Sequence, residues 1–291
     1  MVNFDFLTVK KIEEALDYLN KLEKVKILAG GTDILVDLHK KSPRLPYFHY
    51  LLNISNIDEL KYITLKNQFL EIGSLVTHTQ LIEDTLINQH FPLLKNAAQT
   101  IGSVQIRNRG TIGGNIVNAS PAADLLPPLI ALKARLELVS REEKRELLLE
   151  DFLTGPYQVK LKNNELLTTI RVPLLSEGYF TNFQKIGRRK ALSIARLSLA
   201  LVTKIDSAGI FQDSRVVPGS ATPYPQSFLT TQKALNGQKI NELDLEKIEE
   251  VIAQEMIVIT GKRWSTPYKS KVISTLIKRA LTAIIHEAGE R

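Results

Sequence analysis

The sequence predicts an α+β protein whose elements divide into two domains near residue 177. Helical and strand-like segments alternate through the first third of the chain, and a turn-rich break follows at Pro173-Leu174-Leu175-Ser176-Glu177-Gly178. Beyond it a run of strands gives way to a run of helices, the order expected of a separate small α+β domain with an antiparallel sheet. The reading therefore assigns residues 1–177 to a first domain and 178–291 to a second.

Taken in order, Ile12, Ala15, Leu16, Leu19 and Leu22 recur at helical spacing and predict an amphipathic helix over about 11–23. Val25-Lys26-Ile27-Leu28 is a short strand that runs straight into Ala29-Gly30-Gly31-Thr32-Asp33. Ile34–His39 reads as a helical turn and Leu51–Ile54 as a strand. Tyr62–Leu65 and Phe69–Ile72 form a hairpin around Lys66-Asn67. Helices are expected at about 78–85 and 91–100, and strands at Arg135–Val139 and Leu166–Val172. Past the break, Phe180–Gly187, Ser198–Ile205 and Ile210–Val217 form a meander with a turn at Asp206–Gly209. Helices at about 243–256 and 268–287 close the chain, and neither an internal repeat nor a low-complexity tract is visible.

Composition narrows the function classes. Charged residues at 24% and hydrophobic ones at 44% place the chain among ordinary globular proteins. No run approaches the ~20 apolar residues of a membrane span. The opening Met1–Phe6 lacks the basic-then-apolar order of a signal peptide, so a cytoplasmic location is expected. The chain has no cysteine, which excludes disulfides, cysteine nucleophiles, zinc thiolate sites and iron–sulfur clusters held by its own residues. The net charge of +7 is concentrated in Lys262–Arg291. There it flanks an apolar stripe of Val272, Ile273, Leu276, Ile277, Ala280, Leu281, Ile284 and Ile285, and it reads as the solvated face of a helix. No Phe, Tyr or Trp interleaves along that stripe as stacking would require, so no nucleic-acid partner is expected.

Two glycine pairs carry the chemistry. Ala29-Gly30-Gly31-Thr32-Asp33 and Thr111-Ile112-Gly113-Gly114-Asn115 each set adjacent glycines beside a threonine and a carboxylate or amide. Read as loops, they permit positive φ and let a ligand lie against the backbone. Successive N–H groups in such a turn make a concavity for phosphate or pyrophosphate. A tight turn explains either pair alone; together they predict two walls of one diphosphate site. The Thr32 and Thr111 hydroxyls can join the amides, and Asn115 can hold ribityl hydroxyls or the loop itself.

The other common motifs are missing. Nothing matches a P-loop, a G-x-G-x-x-G after a strand, or a G-x-S-x-G elbow. His39, His49, His78, His90 and His286 show no metal-ligand spacing. Glu13-Glu14, Glu142-Glu143 and Glu249-Glu250 read as solvated faces, so no dedicated acid/base dyad stands out.

Ile27-Leu28-Ala29-Gly30-Gly31-Thr32-Asp33-Ile34-Leu35 followed by Ile106-Arg107-Asn108-Arg109-Gly110-Thr111-Ile112-Gly113-Gly114-Asn115 resembles the FAD-binding subunit of molybdenum hydroxylases. That group includes xanthine, carbon-monoxide and nicotinate dehydrogenases. The proline stretch through Asp124, the segment Glu165–Pro173 and Phe183-Gln184-Lys185 share the resemblance, which covers nearly the whole chain. It implies a two-subdomain FAD-binding domain of the vanillyl-alcohol-oxidase (PCMH) type, then a small α+β C-terminal domain. It also implies that Leu28, Ala29, Gly30, Gly31, Thr32, Asp33, Ile34 and Leu35 wrap the pyrophosphate, with Thr111, Ile112, Gly113, Gly114 and Asn115 as the second wall. Asp124 is implied near the ribityl or diphosphate region, Leu167 on the adenine side and Lys185 near the flavin. Ile101 stands where some relatives place an aromatic residue against the cofactor. With no histidine in the first loop and no cysteine, non-covalent FAD is expected.

The same resemblance implies an electron-output role. A molybdopterin-binding large subunit would oxidise the organic substrate and an iron–sulfur small subunit with two-iron two-sulfur clusters would relay electrons. FAD in this chain would pass them to NAD⁺ or another acceptor. The missing cysteines fit clusters carried by partners, and set the chain apart from the benzoyl-CoA-type branch. A stand-alone flavin-dependent oxidoreductase of the same fold is the alternative, and would need acid/base groups of its own. A basic nucleic-acid-binding protein would carry no flavin colour.

Overall fold

A computed structural model of the chain describes residues 4–189 and 192–290; the first half of the Met1–Phe6 segment and the terminal charge of Arg291 lie outside the described residues. The chain opens with β1 (Asp5–Thr8), α1 (Ile12–Lys21), β2 (Val25–Leu28), α2 (Ile34–His39) and β3 (Tyr50–Asn53). The three strands are parallel, in the order β1-β3-β2. Parallel neighbours need a crossover, and α1 supplies one by burying Ala15, Leu16 and Leu19 against Leu52, Ile54 and Ile57. Glu13 and Glu14 in its first turn and Lys21 in its last suit the helix dipole. β1 is an edge strand with Phe6 exposed, so no alternating apolar face announced it.

A second region starts with the hairpin β4 (Ile63–Lys66) and β5 (Phe69–Gly73). Lys66 pairs with Phe69, which places the turn at Asn67-Gln68, one residue beyond expectation. Both turn residues take left-handed φ (50° and 65°), the backbone that two-residue hairpins favour. Five helices follow: α3 (His78–Glu83), α4 (Thr85–His90), α5 (Pro92–Gln99), α6 (Val104–Arg107) and α7 (Ile112–Asn118). The helix expected over 78–85 breaks because Asp84 turns extended and caps α4 instead, accepting from the Ile87 N–H at 3.0 Å. Then come α8 (Leu126–Ala131), β6 (Arg135–Val139), β7 (Lys144–Leu148), α9 (Leu149–Phe152), β8 (Leu153–Gly155), β9 (Gln158–Val159) and β10 (Leu166–Pro173). Neither α7 nor α8 was expected. The glycines of the one and Pro127-Pro128 of the other read as turn chemistry, although proline suits a first helical turn.

β10 is the middle strand of an antiparallel sheet ordered β4-β5-β10-β6-β7. It carries a bulge at Thr168, between the pairs Leu167↔Leu138 and Thr169↔Glu137. The bulge turns the Thr168 carbonyl toward Ser74, whose N–H donates to it at 2.9 Å.

The third region is the meander β11 (Tyr179–Gly187), β12 (Ala195–Ile205) and β13 (Phe211–Gly219), with α10 (Leu229–Leu235), α11 (Leu245–Thr260) and α12 (Thr266–Glu290). β12 is buried on both faces, which explains its nearly unbroken apolar run. Leu197, Leu199 and Leu201 meet the helices, while Ala200 and Val202 join the core of the second region. The stripe expected on the last helix is confirmed, with Ile273, Leu276, Ile277, Ala280, Leu281 and Ile284 fully buried. No helix of the described residues is long and apolar enough to cross a membrane.

α10 was not foreseen because its first turn borrows its cap from a distant element. The Glu255 carboxylate on α11 accepts from the Thr230 and Thr231 N–H groups, both at 2.8 Å, and from the Thr231 hydroxyl at 2.7 Å. Glu255→Ala strands the two buried donors of Thr231 and the half-buried Thr230 N–H, and is expected to destabilise the protein by ~2 kcal/mol, read as a lower urea midpoint with unchanged slope.

Candidate functional site

β2 delivers the chain into the first glycine pair, and α2 carries it away. Gly31 takes φ +80°, a left-handed conformation that explains its glycine. Gly30 is negative in φ, and its constraint is steric. A Cβ there would lie 1.9 Å from the Arg109 carbonyl oxygen. The first loop is therefore pressed directly onto the backbone that leads into the second glycine pair. The N–H groups of Gly30, Gly31, Thr32 and Asp33 donate to no group among the described residues. Four consecutive free amides are the kind of group from which an anion-binding concavity is built.

The second pair differs from expectation. Thr111-Ile112-Gly113-Gly114-Asn115 is no loop: Thr111 caps α7 and the glycines sit in its first turn with negative φ. Its amides are already used. Ile112 N–H donates to Val76 O and Gly113 N–H to Ser74 O, both at 2.9 Å, and Gly114 N–H donates to Thr111 Oγ1 at 3.0 Å. Gly113 is glycine because a Cβ would come within 2.7 Å of Ser74. The second wall thus supplies close approach and side chains, and the free amides belong to the first.

Between these walls lies a cleft of about 1200 Å³, counting its open mouth. Ala29, Gly30, Gly31, Thr32, Asp33 and Ile34 line one side, and Thr111, Gly113, Gly114, Asn115 and Leu167 line another. The expected residues Leu28, Leu35 and Ile112 do not line it. Leu28 and Leu35 brace Gly31 from outside the cleft, and Ile112 is fully buried in the core behind α7. Ile101, Asp124 and Lys185 also stand off the cleft, in a cluster of their own. Lys185 reaches from β11 to Asp124 Oδ2 at 2.6 Å and to the carbonyl of Thr100 at 2.9 Å, beside Ile101.

Sequence reading missed Ser74, His78, Lys26, Asp37, Arg44 and Tyr157, all on the cleft wall. No local motif marks them; the fold brings them in from separate elements. Ser74 Oγ, Asn115 Oδ1 and His78 Nδ1 are buried there without a hydrogen-bond partner. Unsatisfied buried polar atoms on a cleft floor fit a polyhydroxylated ligand that would complete them. Burial, and next the Arg107 charge, pushes His78 down to about 4, so its imidazole is neutral near pH 7. The cleft therefore holds free amides, hydroxyls and a neutral imidazole beside the ionisable Lys26, Asp33, Asp37 and Arg44.

Burial also governs Asp124, whose carboxyl is pushed up to about 6 even though Lys185 opposes the shift. A carboxyl raised on folding stabilises the fold while protonated, fully so below about pH 4, and this contribution is lost as pH rises through about 6. Asp124→Asn cannot ionise. Its stability relative to the parent chain is expected to rise by up to ~3 kcal/mol between pH 4 and 7, measured by urea unfolding across that range. Parallel stability curves for the two proteins would contradict this.

Two family descriptions match the chain. Residues 2–175 match the FAD binding domain in molybdopterin dehydrogenase, and residues 182–284 match the CO dehydrogenase flavoprotein C-terminal domain. The xanthine dehydrogenase FAD-binding subunit of Escherichia coli O157:H7 is 32% identical over 291 residues, covering 98% of each chain. The glyceraldehyde dehydrogenase medium chain of Sulfolobus acidocaldarius is 30% identical over 283 residues, with 97% of this chain and 98% of that protein aligned. Among solved structures, a carbon monoxide dehydrogenase from Hydrogenophaga pseudoflava that lacks the Mo-pyranopterin moiety of its cofactor superposes with TM-score 0.87 at 28% identity, covering 97% of both chains.

Proposed function

This chain belongs to the FAD-binding subunits of the molybdenum hydroxylase family, and on that premise we propose that it is the electron-output subunit of a multi-subunit dehydrogenase. The free amides of Gly30, Gly31, Thr32 and Asp33, facing the unpaired Ser74 and Asn115 across one cleft, carry the reading. The amides would hold the pyrophosphate of FAD, while Asn115 and Ser74 would take its hydroxyls. Leu167 would lie on the adenine side. Asp124 and Lys185, with Ile101 beside them, would border the flavin end. FAD when bound supplies the capacity to accept two electrons and hand them on.

What the chain's own residues do is bind and orient. No cysteine exists anywhere in the sequence to hold an iron–sulfur cluster, and no His/Asp/Glu cluster able to hold a metal occurs among the described residues. Its electrons would come from a partner. We assign that role to an iron–sulfur small subunit, fed by a molybdopterin-binding large subunit that oxidises the organic substrate. NAD⁺ or another acceptor receives the electrons, and the assembly works in the cytoplasm. We place the domain boundary near residue 177, a reading supported by the gap between the two matched spans.

The purified protein is expected to be yellow and to release intact FAD on acid precipitation, as a non-covalent cofactor must. A colourless protein that refuses added FAD would sink the proposal. Gly31→Val forces a branched side chain onto φ +80°, and Gly114→Val drives a Cβ to 2.9 Å from the Thr111 cap. Both variants are expected to lose FAD while keeping their far-ultraviolet circular dichroism. Stoichiometric flavin in both would move the site elsewhere. The isolated chain should oxidise no purine, aldehyde or N-heterocycle; turnover of such a substrate without partners would favour a stand-alone flavoenzyme.

A further inference from the structure

One end of the cleft is spanned by a bridge of side chains that none of the glycine chemistry requires. Arg44, in the loop after α2, extends its guanidinium over the Tyr157 ring, 4.3 Å from ring centroid to Cζ. Its Nη2 is held by Asp37 Oδ1 at 2.8 Å. Asp37 belongs to α2 in the first region, whereas Tyr157 lies in the turn between β8 and β9 in the second. All three residues line the cleft, so the bridge ties the first region to the second along its wall.

Tyr157 occupies its place at a cost. It takes φ +60°, in a two-residue turn where Pro156 precedes it and Gly155 pairs with Gln158. The position after proline in such a turn is normally taken by glycine or asparagine, and a bulky residue there is strained. Its N–H is fixed by the Ala119 carbonyl at 2.9 Å, at the end of α7. Strain held in place by surrounding structure, on a ligand cleft, points to a role for the side chain that glycine could not fill.

The bridge also marks which half of the ligand lies beneath it. A redox ring that exchanges electrons with partners needs an accessible edge, so the bridged end suits the inert half of the dinucleotide. The side chains lining the cleft with the bridge include the apolar Leu45, Val117 and Leu161, surfaces suited to a purine ring.

We propose that Arg44 and Tyr157, anchored by Asp37, clamp the adenosine half of FAD and so make the site selective for the dinucleotide over FMN. The proposal rests on the reading that this cleft holds FAD. Arg44 supplies a planar cation able to stack on the purine as it already stacks on Tyr157, and Asp37 keeps it from swinging into solvent. Cofactor entry and exit require the bridge to part, so the clamp acts chiefly on the dissociation rate.

The test uses the full chain, stripped of flavin and reloaded with FAD or with FMN, and follows flavin fluorescence on dilution. Arg44→Ala and Tyr157→Gly are expected to release FAD about tenfold faster, the scale of one lost cation–π contact in a partly desolvated site. Tyr157→Phe, which keeps the ring, should release FAD like the parent protein, and FMN affinity should be the same in all four. Thermal unfolding of the flavin-free proteins supplies a second readout. Tyr157→Gly relieves the strained backbone and is expected to unfold no earlier than the parent, which separates clamping from general loosening. Unchanged FAD release in both Arg44→Ala and Tyr157→Gly overturns the clamp while leaving the cleft assignment standing, as does an equal loss of FMN and FAD. A parent protein that binds no FAD overturns the cleft assignment and the clamp with it.

Discussion

The site depends on three backbone segments meeting with no side chain between them. Gly30 lies against the Arg109 carbonyl, Gly113 lies against Ser74, and a Cβ at either position would sit 1.9 Å or 2.7 Å from backbone oxygen. Hydrogen bonds from His78 N–H to Gly110 O and from Gly113 N–H to Ser74 O, at 3.0 and 2.9 Å, lock the arrangement. The contact joins the small parallel sheet, the antiparallel sheet and α7. Once they are fixed, the loop after β2 has no partner for its amides, and Ser74 and Asn115 face the same space. The cleft is what remains when these backbones cannot come closer.

The third region is tied to this arrangement by both packing and charge. β12 buries alternate side chains in opposite directions, so its sheet belongs to two cores at once. Arg215 donates to the Ala131 carbonyl at the end of α8, at 3.1 Å, and Lys185 donates to Asp124 and Thr100. The Lys185–Asp124 pair is almost dry, with side chains 9% and 8% exposed. Removing one member of such a pair leaves the other charged and unsatisfied, so the pair fixes the orientation of the third region more than it adds net stability.

Much of the fold was legible because its signals are local. α1, the 63–73 hairpin, the meander and the last helix all announce themselves through periodicity or turn residues. The misses have a common physical cause. α7 and α8 begin with glycines and prolines that local rules read as turns, α10 takes its cap from Glu255 on another helix, and β1 is an edge strand. In the site, the first glycine loop was readable in its position and in its unpartnered amides. The second was readable in position only, since whether an amide is free depends on Ser74 and Val76, far away in sequence. Ser74, His78, Arg44 and Tyr157 belong to no motif at all and become neighbours only through the fold.

The internal use of the α7 amides has a further consequence for how the ligand's charge is met. Among the ionisable residues lining the cleft, Lys26 and Arg44 are matched by Asp33 and Asp37, while His78 is neutral. A diphosphate placed there would find little net positive field and would be held by the dipoles of the Gly30–Asp33 backbone instead. Mobile ions screen exposed charges within about 8 Å at physiological ionic strength, but hardly weaken short hydrogen bonds inside a cleft. With FAD bound as proposed, its retention would rest on shape and amide geometry more than on net charge, and would respond weakly to the salt around the protein.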